Sequence, residues 1–319
     1  MPLPRPIVVV GSLNTDFVTR TPHVPAPGET VLGSDLLTLP GGKGANQAVA
    51  AARLASRAGP PVHLVGRVGD DDPGRRLLAS LALGRVDAAH VRVTRGVPTG
   101  CALILVEATG ENSIVVSPGA NARVTPADVD GAAPLIRSAA VVLLQLEIPV
   151  ATVRHAITLC RRLGVPTVLD PAPVPVKGMP RSLFSADYLT PNETESFRLA
   201  FGAPARGPRA ATPSSVAAAL HARGARTVVL KLGARGAAFA GRGVALESVR
   251  PHRVRTVDST AAGDAFNGAL AVALAEGKDL RDAVLFANAA GALCCTASGA
   301  QPALPRRREV DRLRRGARR

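Results

Sequence analysis

Apolar and polar positions alternate along this chain between two rhythms. Ile7-Val8-Val9-Val10 is a continuous apolar run closed by Gly11, the pattern of a strand covered on both faces of a parallel sheet. Similar runs return at 62–65, 141–146, 167–169, 188–190 and 227–231. Between them, i, i+3/i+4 spacing predicts helices over 45–58, 74–83, 149–163, 263–276 and 280–297, several of them ended by glycine, as at Gly59, Gly164 and Gly277. Strand and helix in turn predict an α/β fold: one domain over 1–319 with a doubly wound, mostly parallel central sheet flanked by helices.

Two segments break this rhythm. About 12–40 carries the turn signals Pro22, Pro25 and Pro27-Gly28 and then a strand-like stretch at 29–39. About 97–117 holds two strand runs, 99–106 and 113–116, joined by Ala108-Thr109-Gly110-Glu111-Asn112, which has hairpin chemistry. The two insertions are expected to pair into a small β-sheet lid beside the main sheet. Residues 203–213 form a Pro/Gly/Arg connector between helices.

Composition narrows the class. Aromatics make up 3% and Trp is absent, so Ala, Val and Leu must fill the core. Met1 to Pro6 leads into an apolar run too short for a secretory signal, and no 18 consecutive apolar residues occur, so no membrane is expected and a cytoplasmic setting is. Cys101, Cys160, Cys294 and Cys295 lack zinc or disulfide-framework spacing. The net charge of +15 raises nucleic acid as a partner. Much of it sits in the tail 306–319, with eight Arg against Glu309 and Asp311 and no aromatic platform, so this tail is expected to be a solvated end without nucleic acid.

Candidate chemistry gathers at strand ends and helix starts. In Asp258-Ser259-Thr260-Ala261-Ala262-Gly263-Asp264-Ala265-Phe266, small residues run into a helix start, where unpaired N–H groups attract an anion. Asp264 is misplaced if that site only holds phosphate, and well placed if it takes a proton from an attacking hydroxyl. A capped helix with a solvated Asp in its first turn is the other reading. Pro40-Gly41-Gly42-Lys43-Gly44-Ala45-Asn46-Gln47 is not a Walker loop; its glycines admit a ligand to the backbone while Lys43 and Asn46 supply donors. Ser12 to Asp16, Glu147, Asp170 and Asn192-Glu193 all follow strand runs, on the crevice side of a parallel sheet. Asn192 and Glu195 also have the spacing of a helix-capping pair.

Taken together, Gly11-Ser12-Leu13-Asn14-Thr15-Asp16, Pro27-Gly28-Glu29-Thr30, Gly41 to Gln47, Pro191-Asn192-Glu193-Thr194-Glu195 and Asp258 to Gly268 resemble the signature set of the ribokinase/PfkB sugar-kinase family, in order and over nearly the whole chain. The resemblance implies transfer of the γ-phosphoryl group of ATP to the 5-hydroxyl of D-ribose. In this reading Asp264 is the base and Ala261, Ala262 and Gly263 form the anion hole. The sugar is held by Asn14, Asp16, Gly41, Gly42, Lys43, Asn46 and Glu147. The resemblance also implies Asn192 and Glu195 near the phosphates and Mg²⁺, Lys231, Leu232, Gly233, Ala234, Arg235 and Gly236 along the nucleotide, and Asn288 near adenine. It further implies an activating K⁺ held largely by backbone carbonyls of Asp258, Thr260, Cys294, Ala297 and Gly299. Separately, the exposed strand edges of the lid suggest a homodimer, since two small sheets can cover one another. Ala303 departs from the Ser common in that family and removes one side-chain oxygen near this cation site. Two other readings stand beside this one: a kinase of the same family for deoxyribose, fructose or a nucleoside such as pseudouridine or adenosine, and a non-catalytic sugar or nucleotide sensor.

Overall fold

The computed structural model describes residues 4–107, 109, 111–202 and 211–316. Most of the 203–213 connector, and residues 108 and 110 of the hairpin turn, lie outside the described residues. The chain opens with β1 (Ile7–Val10), β2 (Asn14–Thr21), β3 (Leu37–Gly41), α1 (Lys43–Leu54), β4 (Val62–Gly69), α2 (Asp72–Leu83) and β5 (Val86–Thr94). It continues through β6 (Gly100–Glu107), β7 (Asn112–Ser117), α3 (Pro126–Gly131), α4 (Ala133–Ser138), β8 (Val141–Leu144), α5 (Val150–Leu163), β9 (Thr167–Leu169), β10 (Tyr188–Leu189) and α6 (Glu193–Phe201). The remainder is α7 (Pro213–Ala222), β11 (Thr227–Lys231), β12 (Ala237–Gly241), β13 (Glu247–Val249), α8 (Ala262–Ala275), α9 (Leu280–Cys294) and α10 (Arg307–Gly316).

The main sheet has the order β13-β12-β11-β10-β9-β8-β1-β4-β5, parallel except where β12 and β13 run antiparallel at one end. Its topology explains why β1 is apolar at every position. Ile7 and Val9 pack with α1, α8 and α9, while Val8 and Val10 pack on the opposite face with α5, and all four are inaccessible to solvent. Each such burial contributes about 1.5–3 kcal/mol, so a strand of only four residues is firmly anchored. From β1 the chain winds outward to β4 and β5, then returns to place β8 on the other side of β1. The strand order therefore reverses between β1 and β8, and a crevice opens there above the carboxyl ends of the strands.

The second sheet, β3-β2-β6-β7, joins the two insertions as expected of the lid: β2 pairs parallel with β6 and antiparallel with β3. Only Gly11 to Leu13 separate β1 from β2, so the lid is hinged directly at the crevice. Its outer residues Leu37, Leu103, Ile114, Val115 and Val116 are exposed.

Several elements differ from their sequence-based bounds. β5 escapes the apolar pattern because it is an edge strand carrying Asp87, His90 and Arg92. Within 29–39 only Leu37 onward is strand, since Gly28 to Leu36 finds no partner strand. The helix expected over 45–58 starts at Lys43 and stops at Leu54, where Ala55 turns to an extended conformation. The helix expected to 297 ends at Cys294, before the Thr296 to Gly299 turns. The largest correction concerns the tail. Residues 307–316 form α10, whose Val310 is fully buried and whose Arg307 pairs with Glu276 and lies 4.8 Å from the Phe286 ring centre. This stretch is therefore an amphipathic helix docked on α9 rather than a solvated end.

Candidate active site

Two helix starts meet in the crevice. α8 begins after Ala261, which has a left-handed backbone (φ 58°), a conformation that costs a β-carbon-bearing residue energy and marks a constrained turn. The N–H of Ala262 is closed onto the Ser259 carbonyl. The next N–H groups of the first turn, on Gly263 and Asp264, have no intrahelical acceptor and are the donors left for an anion. α8 is apolar around most of its circumference and buried for nearly its whole length. It lies close against α1 because Gly268 has no side chain: a β-carbon there would stand 2.7 Å from that of Ala50.

That close packing brings α1's polar first turn to Asp264. Asn46 Nδ2 donates to Asp264 Oδ2 at 3.1 Å and Gln47 Nε2 donates to Oδ1 at 3.0 Å. Burial raises the Asp264 pKa to about 6, against the opposing pull of Lys43 and of these two donors. A buried carboxyl in that range is half prepared to accept a proton near neutral pH. The solvated-Asp reading of this residue does not fit a side chain 5% exposed.

The sugar-side candidates surround the same point. Glu147 Oε2 accepts from the Ser12 hydroxyl and from the Lys43 N–H at 3.0 Å, so one of its oxygens fixes the start of α1. Asn14 Oδ1 accepts from Asn121 Nδ2 at 2.7 Å, and Asn121 in turn exchanges hydrogen bonds with the backbone of Leu13. Asp16 is 8% exposed, and burial together with the charges of Glu147 and Asp264 pushes its pKa up to about 7. Burial works against the Lys43 ammonium, but Asp264, Asp170, Glu147 and Glu195 outweigh it and raise its pKa. Gly41 and Gly42 are required by close approach: a β-carbon on Gly41 would fall within the Asp16 carboxylate, and Gly42 (φ 86°) faces the Asn14 N–H. Asn46 Oδ1 is buried without a hydrogen-bond partner among the described residues.

On the other side of Asp264 a cavity of about 950 Å³ extends outward. Its walls include Lys43, Asn192, Glu195, Lys231, Gly233, Ala234, Gly236, Ala261 to Asp264 and Asn288. Leu232 points into the core and Arg235 pairs with Glu193 at the surface, so these two members of the expected nucleotide loop do not line it. Asn192 and Glu195 do form the capping pair, each side chain accepting the other's N–H at 2.8 Å, and both also face the cavity. Burial and Asp170 raise the Glu195 pKa. Asn288 Nδ2 donates to the Arg250 carbonyl and so braces the 250–254 wall.

Four of the expected cation residues, Asp258, Thr260, Cys294 and Gly299, lie close together. Asp258 accepts from the Thr260 N–H at 2.8 Å and from the Gly299 N–H at 2.9 Å, Val257 N–H reaches the Cys295 carbonyl, and Cys294 Sγ reaches the Thr260 carbonyl. Burial opposes the Asp258 anion, but these N–H donors outweigh it and hold the pKa low. Ala303 is packed in the core.

The sequence reading does not select Asn121, Gln145 or Gln47, nor Asp170 as a site residue. Gln145 is a polar interruption in Val-Val-Leu-Leu-Gln-Leu, and Asp170 ends a strand run; both were signals available from pattern alone. Asn121 and Gln47 follow a turn and a glycine loop, where nothing but three-dimensional placement gives them meaning.

A family model described as pfkB family carbohydrate kinase matches residues 5–307. The chain belongs to the PfkB family of carbohydrate kinases. Among curated members it is similar to a ribokinase from Bacillus subtilis, 41% identical over 311 residues that cover 97% of this chain and 99% of that one. It is also similar to a ribokinase from Arabidopsis thaliana, at 38% identity over 97% of this chain and 80% of the relative. Two solved ribokinases share the fold at 35% identity: that of Thermotoga maritima (TM-score 0.86, covering 97% of this chain and 99% of that one) and that of Arabidopsis thaliana complexed with ribose and ATP (TM-score 0.84, covering 97% and 98%). For this PfkB-family chain the non-catalytic alternative is set aside, since the carbohydrate-kinase family and an intact, buried Asp264 agree.

Proposed function

We propose that this protein transfers the γ-phosphoryl group of ATP to the 5-hydroxyl of D-ribose, giving D-ribose 5-phosphate. One observation carries the reading: Asp264 stands at the junction of a polyol-type site and a nucleotide-sized cavity, beside the free N–H groups of α8. The ribokinase relatives and the ribose and ATP held by the Arabidopsis structure support the choice of substrates.

Ribose presents several hydroxyls, each of which needs both a donor and an acceptor. Asn14, Asp16, Gly41, Gly42, Lys43, Asn46 and Glu147 supply such a set, and Asn46 Oδ1 is left without a protein partner. A sugar lacking a matched hydroxyl would leave one of these groups unpaired, which is the basis of selection. As the hydroxyl oxygen attacks the γ-phosphorus, its proton passes to Asp264, the bond from that phosphorus to the β–γ bridging oxygen breaks to release ADP, and the negative charge on the phosphoryl oxygens meets the Gly263 and Asp264 N–H groups. Lys231 Nζ lies close to Gly263 and adds positive charge there.

Mg²⁺ belongs with the ATP phosphates. The oxygen donors of Asn192 and Glu195 on the cavity wall suit a hard cation, which would neutralise phosphate charge. K⁺ would be held by carbonyls of Asp258, Thr260, Cys294, Ala297 and Gly299, whose two segments the Asp258 carboxylate draws together beside the anion hole. The exposed strand edges of the lid, with Leu37, Leu103, Ile114, Val115 and Val116 open to solvent around them, are proposed as the contact of a homodimer. No described helix is long and apolar enough to cross a membrane, and the four free cysteines suit a reducing cytoplasm.

The test is an ATP-consumption assay with ribose, deoxyribose, fructose, adenosine and pseudouridine, each with and without K⁺. Ribose is expected to give the highest kcat/KM and K⁺ to raise it; preference for a nucleoside would overturn the assignment.

A further inference from the structure

Gln47 is fully buried on α1, one residue beyond Asn46. Its Nε2 donates to two carboxylates at once, Asp170 Oδ2 at 2.9 Å and Asp264 Oδ1 at 3.0 Å. An ionised carboxylate only accepts hydrogen bonds, so the amide must turn its NH₂ toward this pair and its oxygen away. That oxygen receives Nε2 of Gln145 at 2.6 Å, from just beyond β8. Gln145 Oε1 has no hydrogen-bond partner among the described residues and stands 2.1 Å from where a β-carbon on Gly11 would lie. An unpaired buried oxygen lowers stability, so stability does not account for an amide at position 145. What an amide supplies there is the donor that keeps Gln47 from turning over.

We propose that Gln47, oriented by Gln145, is the positioning residue that sets the plane of the Asp264 carboxylate. Asn46 holds Oδ2 and Gln47 holds Oδ1, so two successive residues of one helix fix both oxygens relative to the anion hole at the start of α8. Gln47 also ties Asp264 to Asp170, whose second oxygen is taken by Lys231 Nζ at 2.9 Å. The line Gln145, Gln47, Asp170, Lys231 therefore runs from the end of β8 to the edge of the anion hole, and the base is its one branch. An attacking hydroxyl gives up its proton efficiently only along a lone pair directed at it, and misplacement by about 1 Å costs on the order of 100-fold. The inference rests on the reading of Asp264 as the base.

Gln47→Met and Gln145→Met, followed by steady-state kinetics across pH and by thermal unfolding, test it. Gln47→Met is expected to lower kcat about 10- to 100-fold while the KM for each substrate stays within about threefold. Its acid limb should also move to higher pH, because loss of a donor disfavours the Asp264 anion. The charged and titratable groups facing Asp264 remain in place in that variant: Lys43 of α1, Asp16 of β2, Asp170 after β9 and Cys294 of α9. Gln145→Met should shift both quantities in the same direction by less, and the double variant should be no worse than Gln47→Met alone. A kcat within about twofold of wild type in Gln47→Met, or a loss confined to KM, overturns the proposal. Should Gln47→Met fail to fold, an unchanged kcat and pH profile in folded Gln145→Met overturns it equally. Failure of the base assignment itself reads out separately, as full turnover in Asp264→Asn.

Discussion

Asn46 donates its amide hydrogen to Oδ2 of Asp264 across 3.1 Å, joining the first turn of α1 to the first turn of α8. The contact makes the glycine-rich loop and Asp264 one unit: α1 carries Lys43, Asn46 and Gln47, α8 opens with the free N–H groups of Gly263 and Asp264, and Gly268 lets the two helices lie close enough to share a carboxylate. In the proposed reading the glycine-rich run 41–44 faces the sugar, in contrast to a Walker loop, while Lys43 also borders the nucleotide-side cavity.

Replacing Asp264 by Asn keeps size and hydrogen-bonding reach but removes the proton acceptor. The kcat is expected to fall by about 10²–10⁴ while ATP and ribose binding, followed by calorimetry, are retained. Normal turnover in this variant would remove Asp264 from the role of base.

Acid should switch the enzyme off in two overlapping steps. Asp264 must be ionised to act and has its pKa raised to about 6; Asp16 has its pKa raised to about 7, and the two carboxyls repel one another. Raised values mean that both take up protons on moving from neutral to mildly acidic pH, so kcat/KM for sugar should fall as pH drops through this window. The steps belong to the coupled pair rather than to either residue alone. Asp16→Asn is expected to remove the upper step and to leave the lower one close to its place, because Asp16 is already neutral where Asp264 takes up its proton. An acid limb unchanged by this substitution would show that Asp16 is not titrating in that range.

Sequence legibility followed the physics of each segment. Buried strands such as β1 were plain because both faces pack against helices and every position must be apolar. The lid was legible through its turns, and β5 was not, because a half-exposed edge strand with Asp87, His90 and Arg92 has no periodicity to read. In the site, Asp264 and its helix start could be argued from local chemistry, since a carboxylate beside an anion site demands a reason. Gln47 and Asn121 could not, because their roles depend on which residues 108 to 217 positions away they meet, and the polar signal of Gln145 does not reveal its partner 98 positions away. In the tail, net charge masks the spacing of Val310 and Leu313, the apolar positions α10 turns to the core.

Asn121 gives the sugar site a support that can be disturbed without touching the chemistry. Gly100 in β6 passes directly over it: a β-carbon there would come within 2.2 Å of Asn121 Nδ2 and 2.5 Å of Asn14 Oδ1. Gly100→Ala should therefore push Asn14 out of place and raise the KM for ribose about tenfold or more, with a smaller change in kcat and none in the KM for ATP, since a single mispaired hydroxyl contact is worth about that much. Equal effects on both substrates would point instead to a general loss of lid structure.

The docked tail predicts a stability effect separate from catalysis. Val310 is fully buried against the α8–α9 side of the core, and Arg307 bonds Glu276 through two nitrogens while also reaching the Leu54 carbonyl. Val310→Ala removes two buried methyl-sized groups and is expected to cost about 2 kcal/mol, a fall in Tm of about 3–6 °C. Truncation after Pro305 strips the whole helix, exposes Phe286 and leaves Glu276 without the Arg307 guanidinium, so its Tm should fall further. At 25 °C the kcat of Val310→Ala should match wild type, because no residue of α10 lines the cavity that holds Asp264. A truncated protein with unchanged Tm would show that α10 is only loosely held, whereas a loss of kcat in stable Val310→Ala would mean that the helix reaches the site through α9.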